Sequence, residues 1–234
     1  MIVSHTHRYI FIKSLKTAGT SIEAALSQHC SESDMVTPLG DYWFNRDERG
    51  KWIHSSMNAE GFSQHDPAVE VKRKVPADIW NGYFKFSIAR NPWDRVVSLF
   101  SWEARNRAEL KPARRFYHRL GVPFDEFRAT KKLFRDFVEG DWTTNDRFYL
   151  IDGELCVDFV IRYENLERDF HAVCARVGLP AIALPHLKTG LRHGEHAYTD
   201  YYDEASRAIV AGRHESDIRL FGYEFAAGTN GSPA

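Results

Sequence analysis

The sequence has almost no net charge and few cysteines. Lysine and arginine total 31 and aspartate and glutamate total 32, which gives a formal net charge of -1. A chain with this balance has no overall field to attract nucleic acid or an anionic membrane, so we expect any anionic ligand to be met by local positive charge. Its three cysteines, Cys30, Cys156 and Cys174, are widely spaced and form no CxxC pair. This spacing argues against a disulfide framework or a zinc ribbon and favours a reducing compartment.

Long apolar runs are also absent. Residues 1–12 carry His and Arg around one short apolar run, which is too short for a membrane anchor and is not arranged as a signal peptide. We therefore expect a cytoplasmic protein without a transmembrane segment. A chain of 234 residues, 43% of them apolar, can bury the core of one domain. We expect that domain to cover residues 1–225, followed by a flexible tail over 226–234; no pattern indicates an oligomeric state.

Three familiar site motifs are missing as well. The chain contains no GxxxxGK[ST] and no GxGxxG, which counts against an ordinary ATPase, a nucleotide kinase or a dinucleotide enzyme. The HExxH spacing of a zinc protease is absent too, so His193 and His196 are interpreted as parts of a solvent-facing loop. The sequence predicts no metal site.

Three short runs of β-branched and aromatic residues indicate buried strands, at residues 9–12, 83–89 and 157–161. Helical spacing follows each of them along the chain, and the last of these helices is predicted over residues 166–177. Strands that alternate with helices predict an α/β fold built on buried parallel strands. Further helices are indicated around residues 67–74 and 201–212, and the rest of residues 30–80 is interpreted mostly as loops.

A small, hydroxyl-rich loop lies between the first strand and the first helix. It consists of Lys16, Thr17, Ala18, Gly19, Thr20 and Ser21. The backbone N–H groups and the helix dipole at such a junction bind anions, Lys16 adds a cation, and Gly19 lets the backbone approach a phosphate closely. The same segment is also consistent with an ordinary strand-to-helix turn capped by Thr20 or Ser21.

A second candidate anion site begins where the second strand ends. Arg90 ends that strand, Pro92 suits the first turn of a helix, and Ser98 lies about two helical turns later. A chain that folds back at Pro92 could direct the planar fork of Arg90 and the hydroxyl of Ser98 at one phosphate. Taken alone, Arg90 could be a solvated strand end and Ser98 a residue of a helix face.

Together the two segments resemble the sulfotransferases that use 3′-phosphoadenosine 5′-phosphosulfate (PAPS), most closely the carbohydrate sulfotransferases of the sulfotransferase-2 type. Residues 16–21 match the family's 5′-phosphosulfate loop, PKTAGTS, with Ser14 and Leu15 in place of the usual Ile-Pro. Residues 90–100 match its 3′-phosphate motif, RNPxxRxxSxF. Further matches at residues 80–86, 158–166 and 221–223 extend the resemblance over nearly the whole chain. It implies a P-loop-like three-layer α/β fold with a central, mainly parallel sheet flanked by helices.

The resemblance also implies the reaction. A sulfuryl group would pass from PAPS to a hydroxyl acceptor, with a carbohydrate or glycoconjugate as the expected acceptor and 3′-phosphoadenosine 5′-phosphate (PAP) as the product. Lys16 would be a catalytic cation near the bridging oxygen, residues 17–21 would cradle the 5′ end, and Arg90 and Ser98 would hold the 3′-phosphate. Such a transfer depends mostly on positioning and charge stabilisation, so no metal is required.

The acceptor hydroxyl needs a base, and a histidine titrates near neutrality. His54 and His65 both lie between the two nucleotide motifs. His65 matches a position where the family tends to carry a histidine before a short helix, so it is the predicted catalytic base. Glu60 and Asp66 are alternatives, and a purely structural role for His65 in its loop stays open.

Residues 105–135 contain ten lysines and arginines against three acidic residues. This stretch is interpreted as a solvated helical face or as a surface for an acidic acceptor glycan. Tyr163, Lys188 and Arg192 are further candidates for enclosing the nucleotide. Two rival functions remain, a catalytically inactive module that binds a nucleotide or an acidic glycan, and a P-loop nucleotide kinase.

Overall fold

The computed structural model describes residues 1–38, 56–104, 126–185 and 196–226. The chain divides into two compact units, and each is described by itself. The first comprises residues 1–90 and 145–189, and the second comprises residues 91–144 and 190–232. The single domain expected over residues 1–225 stays a prediction, and the tail expected over 226–234 lies, apart from its first residue, outside the described residues.

A sheet of five strands forms the centre of the described part of the first unit, in the order β3-β1-β2-β4-β7. Its strands are β1 (Ile2–Ser4), β2 (Tyr9–Phe11), β3 (Met35–Val36), β4 (Phe84–Ala89) and β7 (Phe159–Arg162), while β5 (Leu150–Ile151) and β6 (Glu154–Leu155) form a separate hairpin. β4 pairs in parallel with both β2 and β7, whereas β1 is antiparallel to both β2 and β3. Four of these five strands therefore run in one direction.

Helices lie between several of the strands of the first unit along the chain. They are α1 (Gly19–Ser27), α2 (Ala68–Lys74), α3 (Ala77–Gly82) and α6 (Leu166–Arg176). Between α3 and α6 in the sequence come α4 (Pro92–Ala104) and α5 (Glu126–Glu139), which belong to the second unit. One face of the sheet packs on α1 and α6, because alternate strand residues share a buried cluster with apolar residues of both helices. That cluster includes Phe11, Phe86, Ile88 and Ile161 from the sheet, Ile22 and Leu26 from α1, and Phe170 and Val173 from α6.

The opposite face of the sheet carries different side chains. Lys85 alternates with Phe86 along β4, and its Nζ lies 5.7 Å from the ring centroid of Trp80 on α3. Helices thus contact the sheet on both of its faces, and the predicted three-layer α/β fold with a mainly parallel sheet is confirmed.

The second unit is helical where it is described, with α7 (Glu204–Arg213) and α8 (Glu215–Phe221) following α4 and α5. Aromatic rings join α4 to α5, since the centroid of Phe100 lies 5.3 Å from that of Phe134. Trp93 Nε1 donates to the backbone oxygen of Arg207 at 3.1 Å, and the Tyr202 hydroxyl donates to the backbone oxygen of Trp93 at 2.9 Å. These bonds attach the first turn of α4 to the segment around α7.

The predicted strands and helices correspond to β2, β4, β7, α1, α2, α4, α6 and α7, with ends that differ by a few residues. β1 and β3 are not among the predicted strands. They have three and two residues, and so short a run cannot display the alternation that marks a strand in sequence. β1 is nevertheless fully buried and pairs with strands on both sides.

Candidate functional site

The predicted phosphate loop joins β2 to α1, at the end of a strand that runs parallel to β4. Lys16 (φ 62°) and Ala18 (φ 64°) both have left-handed backbone conformations. Left-handed residues in such a loop turn successive N–H groups toward one side, as in the nests that bind anions. α1 then begins at Gly19 with no side chain capping its first turn. The loop therefore ends at the positive end of a helix dipole.

Left-handed backbone costs roughly 1–2 kcal/mol for a residue with a Cβ, so the loop must be held by its surroundings. Ser14 fixes the start of the loop, because its buried hydroxyl donates to the backbone oxygen of Ile88 at 2.6 Å and lies 2.7 Å from Thr17 Oγ1. The Thr17 side chain is consequently turned into the protein, with 1% exposure. Of the predicted roles for Thr17, only a backbone contact with a ligand fits this arrangement.

Leu15 is held by a residue distant in sequence. The side-chain amide of Asn145 accepts from the Leu15 N–H at 3.2 Å and donates to the Leu15 carbonyl at 2.8 Å. Both backbone groups of Leu15 are thus bound by a single buried amide, which is 3% exposed. The next residue along the chain is Lys16.

Lys16 is held by Arg90, the residue that follows β4. Arg90 Nη1 donates to the Lys16 carbonyl at 2.9 Å. On its other side the Arg90 guanidinium lies over the ring of Tyr163, 4.0 Å from the centroid. The structure therefore brings two of the predicted nucleotide-binding residues, Lys16 and Arg90, into direct contact.

Gly19 is required by the packing beneath the loop. A Cβ at this position would lie 2.8 Å from Lys13 Cγ. Lys13 in turn pairs its Nζ with the Glu23 carboxylate of α1 at 2.5 Å, which also binds the α-amino group of Met1. Burial by itself raises the pKa of Glu23, but the two positive charges and their hydrogen bonds hold it below its ordinary value. The absence of a Cβ at Gly19 thus leaves room beneath the loop for the buried ion pair of Lys13 and Glu23.

The remaining loop residues begin α1. The Ser21 N–H donates to the Ala18 carbonyl at 2.9 Å, which closes the first turn. Ser21 is buried and Thr20 is half-buried. Neither side chain acts as the N-cap of α1, because Ala18 occupies that position. The alternative interpretation of an ordinary turn capped by Thr20 or Ser21 is therefore wrong.

His65, the predicted base, lies beside the start of this loop. Its Nδ1 is 2.9 Å from the Lys13 carbonyl, and its ring packs edge to face with that of Phe148, with 6.3 Å between centroids. A carbonyl oxygen only accepts, so Nδ1 carries the hydrogen and Nε2 holds the lone pair in the neutral ring. His65 therefore presents the nitrogen that a general base requires.

The pKa of His65 is lowered from its ordinary 6.5 to about 4, mainly by burial and in smaller part by the positive charge of Lys13, although the hydrogen bond to the Lys13 carbonyl acts in the opposite direction. The imidazole is therefore neutral at pH 7 and able to accept a proton. A base with so low a pKa is a weak one, and the negative charge of a bound nucleotide nearby would raise it.

The alternative bases differ in their placement. Asp66 is buried and binds Lys74 Nζ at 2.6 Å and the Ser63 N–H at 3.0 Å, so its carboxylate is occupied in fixing its own loop. Glu60 is exposed. His54 lies outside the described residues.

Comparison with known proteins identifies the chain. A sequence model of the sulfotransferase family matches residues 1–224. The chain belongs to the sulfotransferase family. This confirms the family resemblance drawn from the two motifs, and the match spans residues of both compact units.

Individual relatives of this sulfotransferase-family chain are distant. An uncharacterised protein of Archaeoglobus fulgidus is 30% identical over 114 residues, which cover 49% of this chain and 83% of that protein. Carbohydrate sulfotransferase 10 of Xenopus laevis is 25% identical over 62% of this chain, and that of Danio rerio is 25% identical over 61%. These matches span 48% and 47% of the two carbohydrate sulfotransferases, or about half of each protein.

A solved structure is also similar. The crystal structure of a sulfotransferase from Alicyclobacillus acidocaldarius aligns over 94% of this chain and 97% of its own, with 15% identity and a TM-score of 0.37.

The other predicted residues lie elsewhere. Ser98 is half-buried on α4 in the second unit, so its position is described apart from that of Arg90. Of the basic stretch, residues 105–125 are outside the described ranges, as are Lys188 and Arg192. The rest of the stretch lies on α5, where Arg135 forms an ion pair with Asp203.

Two of the contacts described above are absent from the predicted site. The sequence does not single out Asn145, and it relates Tyr163 to the nucleotide and not to Arg90. Asn145 lies 130 residues from Leu15, and a single asparagine outside any motif gives no sequence signal for such a contact. The position of Tyr163 directly after β7, which neighbours β4 in parallel, is the signal that could have placed it beside Arg90.

Residues 1–38, 56–104, 126–185 and 196–226 include neither a metal-binding cluster nor a membrane-spanning helix. They contain no cluster of three or more His, Cys, Asp or Glu side chains that could hold a metal ion. No helix within these ranges is long and apolar enough to cross a bilayer.

Proposed function

We propose that this protein transfers the sulfuryl group of PAPS to a hydroxyl of a carbohydrate or glycoconjugate. The observation that carries this proposal is the contact between Arg90 and the Lys16 carbonyl, because it joins the two motifs that resemble the 5′-phosphosulfate and 3′-phosphate sites. A nucleotide with phosphate groups at both ends suits two linked anion sites. Neither site alone would require such a nucleotide.

The phosphate loop would bind the 5′ end of PAPS. Its left-handed residues and the start of α1 supply backbone N–H groups, and Lys16 supplies a cation for the charge that develops on the bridging oxygen. Arg90 would bind the 3′-phosphate through its guanidinium fork while keeping its bond to the loop. Ser98 would add a hydroxyl to the same phosphate.

The transfer itself would be an in-line displacement. The acceptor oxygen forms a bond to sulfur as the bond from sulfur to the bridging oxygen breaks, and PAP leaves with the electron pair of that bond. The acceptor proton passes to Nε2 of His65, whose Nδ1–H remains on the Lys13 carbonyl. The resulting imidazolium then releases the proton to solvent.

The proposed class of acceptor is inferred from the relatives of this chain. Two of them are carbohydrate sulfotransferases, which favours a carbohydrate hydroxyl over a small alcohol. The rival function, a module that binds PAP or an acidic glycan without transfer, would leave His65 with a structural role only.

Calorimetric titration of the whole protein with PAP tests the proposal, with Arg90→Ala as the comparison. We expect tight binding by the wild type and a loss of at least about tenfold in the variant, the least expected from removing a charged hydrogen-bonding partner. Absence of binding by folded wild-type protein would overturn the proposal. Binding without sulfuryl transfer from PAPS across a panel of glycans would instead favour the inactive module, and magnesium-dependent ATP turnover would favour a kinase.

A further inference from the structure

The side chain of Asn145 does not cap the turn that follows it. Asn145 occupies the N-cap position of a short 3₁₀ turn, Asp146–Phe148, yet no side chain caps that turn. Asparagine is among the preferred N-cap residues because its side-chain oxygen can accept from the turn's own N–H groups. Here that oxygen accepts from the Leu15 N–H instead, so the side chain serves another segment.

The contact with Leu15 has the pattern of a backbone pairing. One amide accepts from an N–H and donates to the carbonyl of the same residue, at 3.2 Å and 2.8 Å, much as one strand residue pairs with another. Buried polar backbone groups need such partners. Because Asn145 is 3% exposed, water is poorly placed to substitute for it.

Leu15 is the last residue before the left-handed Lys16. Fixing both of its backbone groups fixes the direction in which the chain enters the loop. The preceding residue, Ser14, is held by its own bond to Ile88, and the following residue, Lys16, is held by Arg90. The same 3₁₀ turn ends at Phe148, whose ring packs edge to face with that of His65. One turn therefore contacts both the start of the phosphate loop and the predicted base.

We infer that Asn145 is a positioning residue that holds the phosphate loop in its ligand-ready conformation before the nucleotide binds. This inference rests on the proposed function in one respect, namely that the ligand of the loop is the 5′ end of PAPS or PAP. The two hydrogen bonds from Asn145 to Leu15, called the clamp below, hold the loop whether or not a ligand is present. A loop that is already ordered loses less conformational entropy on binding.

The test uses Asn145→Leu, which keeps the approximate volume of the side chain and removes both hydrogen bonds. We expect PAP affinity to fall about tenfold or more, since the partly buried N–H and carbonyl of Leu15 lose the Asn145 amide as their partner. Adenosine 3′-phosphate lacks the 5′ group, so its affinity should change less than about twofold if the clamp acts only on the loop. Val173→Ala, which leaves a cavity in the core under α6, controls for general loss of stability and should alter neither affinity.

Hydrogen exchange of the unliganded protein gives a second readout. Amides in the peptide of residues 13–20 should exchange faster in Asn145→Leu than in the wild type and in Val173→Ala. If the leucine variant does not fold, Asn145→Asp replaces it, because the aspartate still accepts from Leu15 but cannot donate to its carbonyl when ionised.

The two measurements decide whether Asn145 positions the loop. Equal losses of affinity for PAP and adenosine 3′-phosphate, or unchanged exchange in residues 13–20, would overturn the positioning role. If the wild type fails to bind PAP, the proposed function fails, and the exchange measurement alone then supports or overturns the clamp.

Discussion

Arg90 and Lys16 are joined by a hydrogen bond from the guanidinium Nη1 to the backbone carbonyl, at 2.9 Å. They lie 74 positions apart in the sequence, one after β4 and the other after β2. Because these strands are parallel neighbours, their carboxyl ends meet at one edge of the sheet, where ligands of open α/β sheets bind. The bond makes the conformation of the loop depend on the position of Arg90.

Arg90→Lys should separate charge from geometry. A lysine keeps the positive charge but lacks the planar fork that can bind a phosphate and the Lys16 carbonyl together. We expect PAP affinity to fall about 10- to 100-fold, which corresponds to one charged hydrogen bond. Affinity for adenosine 5′-phosphate, which lacks the 3′ group, should fall less, because only the contact with the Lys16 carbonyl is then lost. Calorimetry with both nucleotides measures the difference, and equal losses would contradict a 3′-phosphate role for Arg90.

Tyr163 should support Arg90 through its ring and not through its hydroxyl. The guanidinium lies 4.0 Å from the ring centroid, a stacking contact worth about 0.5–2 kcal/mol. Tyr163→Phe should therefore bind PAP like the wild type, whereas Tyr163→Leu should bind it about 2- to 30-fold more weakly. Combining Tyr163→Leu with Arg90→Lys tests the coupling, since additive losses would show that the two side chains act separately.

His65→Asn distinguishes a catalytic base from a structural histidine. The asparagine amide can still donate to the Lys13 carbonyl, as Nδ1 does now, but it offers no basic nitrogen. If His65 is the base, sulfuryl transfer should slow by about 10²- to 10⁴-fold while PAP affinity stays unchanged. Single-turnover transfer with a responsive glycan acceptor gives the rate. Near-normal transfer by this variant would leave His65 with only its loop contacts.

The parts of this protein that the sequence predicts well are those that repeat a local pattern. β2, β4 and β7 are apolar runs, and the loop of residues 16–21 stands between a strand and a helix as expected. Pairing with a neighbour on each side, rather than any pattern of its own, accounts for β1. Its three residues give too short a pattern to recognise.

The contacts that hold the loop are harder to predict because they join distant positions. The Ser14 hydroxyl bonds to the backbone of Ile88, and the Asn145 amide bonds to the backbone of Leu15. Every residue possesses such backbone atoms, so the sequence carries no complementary pair to match. Gly19 shows a related limit. Its sequence context predicts close approach to a phosphate, and the structure adds a steric reason, because a Cβ would meet Lys13.

The low pKa of His65 should make stability depend on pH. Its pKa falls from 6.5 to about 4 on folding, so between these values the unfolded chain binds more protons than the folded one. Stability should therefore decrease as the pH falls through this window, by on the order of 3 kcal/mol over the full shift. Comparing urea unfolding of wild type and His65→Asn at about pH 7.5 and about pH 4.5 isolates this contribution, because other groups titrate alike in both. An equal loss in the two proteins would show that His65 does not titrate this way.

Gly19→Ala should damage the protein through Lys13 before any ligand is considered. The new Cβ would lie 2.8 Å from Lys13 Cγ, and Lys13 cannot move freely because its Nζ is paired with buried Glu23. We expect a loss of about 1–3 kcal/mol in the free energy of unfolding, as for other overpacked sites. Gly82→Ala is the matched control, since its Cβ would meet only the end of the Arg8 side chain at 3.4 Å. That variant should change stability by less than about 1 kcal/mol. If both variants unfold at the same urea concentration as the wild type, Lys13 has room to move and the ion pair beneath the loop is not what requires glycine at position 19.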